Sequence, residues 1–392
     1  MVIPAWIWIV FTFAFGCSIG SFINVVIYRL PRDRSLVRPG SSCPACGRPI
    51  GFYDNIPLLS WLMLAGKCRR CKAPISPRYF IVELIVGVLF TGLYLVYFHT
   101  ELRRGIGPMF GRGAFIYVVH VLMLAALVAA SGIDLEHWVI PLSICWLITA
   151  LGLVASLAGP LVIDPRYIKS YTLLPFASPT TAALAAGAAV GTGVSLILLA
   201  TKALKRSYEG QSDDYDLAEA PHQAGNAAAA AVEPQYNDRA EVLREVLFLL
   251  PIIAGSAGLC WFLRCHQPAG RWWADFSQIP AVAGLLGAVW GYFVGCAVVW
   301  GTRIFGTLLF GREAMGLGDV HLMGAAGAVI GPMYIVVAFF IAPFFGLAWA
   351  MCQMFFKKIR QIPYGPFLSL GILTVMIFHD WIWDRLLFWF RQ

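Results

Sequence analysis

Charge is what this sequence has least of: Asp, Glu, Lys and Arg make up 13% of its 392 residues, roughly half the share of an average soluble domain. With 59% hydrophobic residues and a mean hydropathy of +0.73, an ordinary soluble globule is excluded. No basic residue precedes Arg29, so the apolar opening lacks the positive region of a cleaved secretory signal. A retained first span follows, and lipoprotein cleavage at Cys17 is disfavoured for the same reason. The short alternating segments of an outer-membrane barrel are missing, and no internal repeat is present. There is no H-E-x-x-H pattern, and no serine or cysteine nucleophile has a convincing base beside it. Those absences remove zinc proteases and nucleophile-triad hydrolases.

What is present is a series of apolar runs, placed at 5–28, 79–98, 114–133, 141–160, 180–201, 246–264, 281–302, 319–331, 333–356 and 363–380, of which 319–331 is short for a span, so that it and 333–356 are expected to divide the bilayer unevenly. A span needs about 20 such residues, and backbone polar groups in lipid must bond within their own segment. The expected fold is an all-α, polytopic integral membrane helical bundle of about 8–10 transmembrane helices. The net charge of +8 then reads as loop charge facing the cytoplasm and not as a nucleic-acid footprint. If the first span ends in the cytosol, alternation places twenty of the 29 Lys and Arg residues in cytosolic segments, ten of them within 29–78. Arg103 and Arg104 fall outside, against the trend.

The expected organisation is a first span (1–28), a cytosolic loop domain (29–78), spans carrying a first acid (79–163), an inserted hairpin (164–280), spans carrying a second acid (281–380) and an aromatic tail (381–392). Within the insertion, 207–240 carries Glu209, Asp213, Asp214, Asp216 and Glu219 before an alanine run, the pattern of a flexible linker. A docking role is the alternative. Trp381, Trp383, Phe388 and Trp389 suit an interfacial anchor better than a binding box.

Two C-x-x-C pairs, Cys43/Cys46 and Cys68/Cys71, stand in the first loop. Each pair offers two thiolates, and together they complete a tetrahedral Zn²⁺ site. Arg69, Arg70 and Lys72 favour the ionised sulfurs. A redox pair or disulfides are the other readings, the latter disfavoured in a reducing cytosol. Four sulfur ligands close the site, which makes its role structural. The remaining cysteines read as packing residues, with a Cys260–Cys265 pairing left open.

Gly316-Leu317-Gly318-Asp319 opens one apolar run, and Asp134 closes another; alternation puts both acids at the cytosolic face. A carboxylate at the edge of a membrane helix is costly and asks for a reason. Taken singly, Asp319 could cap a helix and Asp134 could sit in interfacial water beside Glu136 and His137. Gly316 and Gly318 permit positive φ and close backbone approach, so a peptide can lie against the carboxylate. Two acids at close range divide into a base and an acid, which suffices for water-mediated peptide cleavage. Glu83, inside the second span, is expected to pair with Arg78 or another polar group as polar support, with a site role the alternative.

These residues carry a resemblance. Gly20-Ser21-Phe22-Ile23-Asn24-Val25, Ser42-Cys43-Pro44-Ala45-Cys46, Ile133-Asp134-Leu135, Met315-Gly316-Leu317-Gly318-Asp319-Val320 and Ile362-Pro363-Tyr364-Gly365-Pro366-Phe367 are similar to the bacterial type IV prepilin leader peptidase/N-methyltransferase family. The resemblance implies that Asp134 and Asp319 are catalytic and that Cys43, Cys46, Cys68 and Cys71 hold zinc in a cytosolic domain. It implies a prepilin or type II secretion pseudopilin as substrate, cleaved after a glycine and then methylated from S-adenosylmethionine. The setting would be the lipid bilayer of the inner membrane, with the site facing the cytosol. The sequence departs from the family's pattern at Leu142 and His321 and across the 160–278 stretch. A membrane transporter or channel, or a non-catalytic assembly scaffold, is the rival expectation; a transporter would place its acids near the bilayer midplane.

Overall fold

The computed structural model describes residues 4–100, 102–205, 207, 238–355 and 363–390. Its helices are α1 (Ala5–Arg29), α2 (Leu59–Met63), α3 (Arg78–Phe98), α4 (Arg112–His137), α5 (Leu142–Val162), α6 (Pro165–Tyr171) and α7 (Pro179–Ala200). They continue with α8 (Asp238–Cys265), α9 (Gln267–Ser277), α10 (Pro280–Phe310), α11 (Leu317–Ile330), α12 (Pro332–Phe355), α13 (Gly365–Ile377) and α14 (His379–Phe390). Among the described residues, eight helices are long and apolar enough to cross a membrane: α1, α3, α4, α5, α7, α8, α10 and α12. The protein is a polytopic membrane protein with an all-helical bundle, as its apolar runs require.

Local chemistry sets several boundaries. Proline at the first helical position starts α6, α7 and α10, and at the second position opens α9, where its missing N–H costs nothing. Ser178 and Thr181 form a reciprocal capping box on α7. Gly331, at φ +91°, ends α11, and Pro332 begins α12 at once.

Three expectations change. The run at 319–331 is the 14-residue helix α11, whose apolar side chains from Val320 to Val329 are almost wholly buried. It is too short to cross the roughly 30 Å hydrocarbon layer upright, and protein, not lipid, surrounds it. The run at 363–380 breaks after Ile377 into α13 and α14, bent by 77°. Arg303, counted above as a loop cation, lies inside α10 with 1% exposure.

Helix α11 is the bundle's centre, packed by α10 and α5 on its flanks with α12, α13 and α4 around it. Glycine makes the closest approach possible: a Cβ on Gly291 of α10 would stand 2.1 Å from the Gly327 carbonyl oxygen of α11. Backbones therefore touch directly, the small-residue packing that membrane helices use in place of a hydrophobic driving force.

At one end of the bundle α4 finishes, α11 and α13 begin, and the 30–77 loop folds. At the other end, Arg103 bonds Asp380 at 3.0 Å and the Tyr171 carbonyl at 3.1 Å, while Arg104 bonds Asp384 at 2.7 Å. These partners neutralise the two arginines that ran against the charge trend. Residues 208–237, including Glu209 to Glu219 and the alanine run, lie outside the described residues.

Candidate active site and metal centre

The loop after α1 forms two small knuckles. In the first, the Cys43 N–H donates to the Arg48 carbonyl (2.9 Å) and Gly47 takes φ +68°. In the second, the Cys68 N–H donates to the Ala73 carbonyl (2.9 Å) and Lys72 takes φ +60°. Each turn aims two thiols at one point, and the ligand atoms of Cys43, Cys46, Cys68 and Cys71 lie within 4.8 Å of one another. The Cys43 and Cys71 sulfurs are 3.8 Å apart, the separation of about 3.8 Å that tetrahedral Zn–S bonds of ~2.3 Å impose. All four thiols are free, with no disulfide among them. Backbone N–H groups of Cys71 and Arg70 favour the Cys68 thiolate and bring its pKa down to about 6. The donor set fits a metal ion. Cys260 and Cys265 are free as well, on the single helix α8.

The loop is tied to the bundle by Glu83, whose partner is another polar group and not Arg78. Glu83 is 8% exposed and accepts the Leu58 N–H at 2.7 Å. Arg78 instead forms an ion pair with Glu136, two residues beyond Asp134 on α4. The physical reason is geometric. Arg78 opens α3 and faces the end of α4, whereas Glu83 lies over a turn further in, against the loop that folds back on it.

Asp134 is 5% exposed and Asp319 9%. Asp134 closes α4, and its carboxylate accepts the Gly365 N–H at 3.0 Å, at the start of α13. Asp319 stands in the first turn of α11, with the Gly316 N–H in bonding reach of its carboxylate. Each acid thus meets the N-terminal end of a helix, where unpaired N–H groups and the positive dipole end receive an anion. Ile140 fills the space between their supports: a Cβ on Gly318 would meet its Cβ at 3.0 Å, and one on Gly365 its Cδ1 at 3.1 Å.

Gly318 matters for its close approach to Ile140, and neither Gly316 nor Gly318 takes a positive φ. Gly316 is extended at φ −72°, and Gly318 lies within the first turn of α11. His321 bonds the Tyr292 hydroxyl through Nδ1 at 3.1 Å, and Leu142 begins α5, half-exposed. Sequence reasoning missed Gly365 as a partner of Asp134, although a glycine followed by proline before an apolar run marks a helix start. It also missed the buried Arg303, which nothing local distinguishes from a loop cation.

Fold and site define a polytopic membrane protein with a buried carboxylate pair at one end and a four-thiol cluster that could hold a metal ion. Residues 14–97 match the bacterial peptidase A24 N-terminal domain, and residues 247–351 match the type IV leader peptidase family. Two separate stretches of the chain are thus similar to these two family models. The first match contains the four cysteines and Glu83. The second contains Asp319, not Asp134, and begins within the stretch expected as an insertion.

Among curated proteins, the prepilin leader peptidase/N-methyltransferase of Myxococcus xanthus is 45% identical over 157 residues, covering 40% of this chain and 42% of that one. The enzyme of the same name from Aeromonas hydrophila is 34% identical over 181 residues, covering 40% and 58%. The type 4 prepilin-like proteins leader peptide-processing enzyme of Escherichia coli is 40% identical over 170 residues, covering 38% and 58%. The chain thus spans about half the length of these relatives. No solved structure matches.

Proposed function

We propose that this protein is a membrane aspartic endopeptidase that removes the leader of type IV prepilins or type II secretion pseudopilins. What supports it is that Asp134 and Asp319, 185 positions apart in sequence (319 less 134), are both buried, each at a helix N-terminus, at one end of the bundle. One carboxylate, ionised, takes a proton from water as the water oxygen bonds to the peptide carbonyl carbon. The other, protonated, donates to the developing oxyanion. Collapse of the tetrahedral adduct breaks the C–N bond, and the departing nitrogen takes up a proton from the pair. A substrate with an apolar membrane helix would dock among the spans while its short basic leader reaches this end of the bundle. That end would face the cytosol across the bacterial inner membrane, in keeping with the crowd of basic residues in 29–78.

Cys43, Cys46, Cys68 and Cys71 would hold Zn²⁺, which stabilises the loop and takes no part in hydrolysis because sulfur fills every position. The relatives' names add N-methyltransferase, and S-adenosylmethionine is the methyl donor this would use. We include methylation of the new amino terminus on those names alone and assign it no residues.

The test is cleavage of a prepilin by the purified protein with Asp134→Asn or Asp319→Asn. Loss of cleavage in both is expected, and normal cleavage by either removes the pair from the mechanism.

A further inference from the structure

The turn that delivers Asp319 has little of its own to hold it. Gly316 and Gly318 carry no side chains, and Gly311, at φ +62°, lets the chain reverse after α10. Residues 311–316 nevertheless lie folded against the last turns of α10. The Ala314 N–H donates to Thr307 Oγ1 at 3.3 Å. One turn earlier, the Arg303 guanidinium donates through Nη1 to both the Glu313 carboxylate and the Met315 carbonyl. That carbonyl belongs to the peptide leading directly into Gly316.

A guanidinium at 1% exposure is expensive unless something fixes and neutralises it. Glu245 does so from α8: its Oε1 accepts Arg303 Nε at 2.8 Å, and its Oε2 accepts Trp300 Nε1 at 3.0 Å. Glu245 is itself 4% exposed. Phe248, nearly one turn further along α8, stacks on Trp300 with ring centroids 5.5 Å apart, which fixes the register of α8 against α10. A continuous polar chain therefore runs from α8 through α10 to the peptide that opens α11.

We infer that Arg303 is a positioning residue for Asp319, gripping the Met315 carbonyl so that Gly316-Leu317-Gly318-Asp319 is held in place, and that Glu245 of α8 sets the grip. This rests on the reading of Asp319 as a catalytic acid, and it makes α8 part of the site's support although α8 brings no residue to the acids. The fork of arginine is needed: Nε and Nη1 point to different partners, and the single ammonium of lysine cannot span both. Displacing a reacting group by about 1 Å costs roughly 100-fold in rate, so a loosened turn shows in kcat while substrate binding is spared.

The experiment uses the full chain in detergent micelles with a type IV prepilin as substrate, reading kcat, KM and the melting temperature. Arg303→Lys is expected to lower kcat about 100-fold with KM within about twofold. Glu245→Gln, which keeps an acceptor for Nε, is expected to lose less than Glu245→Leu. The double change Arg303→Met with Glu245→Leu leaves no unpaired buried charge at the pair. It is expected to recover the melting temperature but not kcat, which separates positioning from mere stability.

A second readout does not depend on catalysis: with Val320→Cys in place, at a position 0% exposed, maleimide labelling at position 320 should speed up about tenfold when Arg303→Lys is added, as the turn opens more often. If kcat and labelling are both unchanged in Arg303→Lys, or if kcat returns with the melting temperature in the double variant, the inference is overturned. If instead Asp319→Asn cleaves normally while labelling responds to Arg303→Lys, the grip stands and the reading of Asp319 as a catalytic acid falls.

Discussion

The buried carboxylate of Asp134 touches a glycine backbone that has room for nothing else. A Cβ on Gly365 would lie 2.5 Å from Asp134 Oδ2, so Gly365→Ala must push the acid off the N-terminus of α13. Initial rates of prepilin cleavage should fall about 10- to 100-fold; a parent-like rate would mean that Asp134 tolerates displacement. The acids themselves were legible in the sequence because charge beside an apolar run is costly enough to stand out. Their partners were not. Gly365 contributes a backbone N–H, and Glu83 takes another from Leu58 in an irregular loop, and side-chain identity does not encode either bond. The cysteines were legible because thiol spacing alone constrains where four sulfurs can go. Protein bearing Cys43→Ser with Cys68→Ser should lose the about one zinc per chain that native mass spectrometry is expected to find on the parent; retained zinc would place the metal elsewhere.

Among the helices, α11 is the piece whose sequence misleads most. Its apolar run looks like a span, yet the run is 14 residues long and buried on every side. Hydrophobicity does not distinguish a helix facing lipid from one facing other helices, so periodicity could not separate α11 from its neighbours. Its glycines and alanines gave the better clue, since they mark where backbones meet. Gly291→Leu would drive a side chain into the Gly327 carbonyl and part α10 from α11, at a cost of about 1–3 kcal/mol or more, read as a lower melting temperature in detergent. An unchanged melting temperature would show that the two backbones are not in contact. At the far end of the bundle, Asp380→Asn breaks a pair whose arginine side chain is 2% exposed. The loss should be about 3–5 kcal/mol of stability, with kcat per folded molecule unchanged because the acids lie at the other end. Inactivation in proportion to kcat alone would tie that end to the chemistry.

For the molecule as a whole, one end gathers Asp134, Asp319, the four-thiol loop and the Arg78–Glu136 ion pair, and the other gathers Arg103, Arg104, His379 and Asp380. The alternation read from apolar runs anticipated the first grouping because each run, including short α11, reverses the chain's direction. It treated Arg103 and Arg104 as misplaced cations because charge counts ignore pairing; Asp380 and Asp384 neutralise them. The central claim is that Asp134 and Asp319 act as one unit, and a double-replacement cycle on cleavage tests it most directly. Asp134→Asn and Asp319→Asn should each lower kcat about 10³-fold or more, and the double replacement should be scarcely worse than either single one. Independent, multiplying losses, or a single variant that cleaves at the parent rate, would contradict the account.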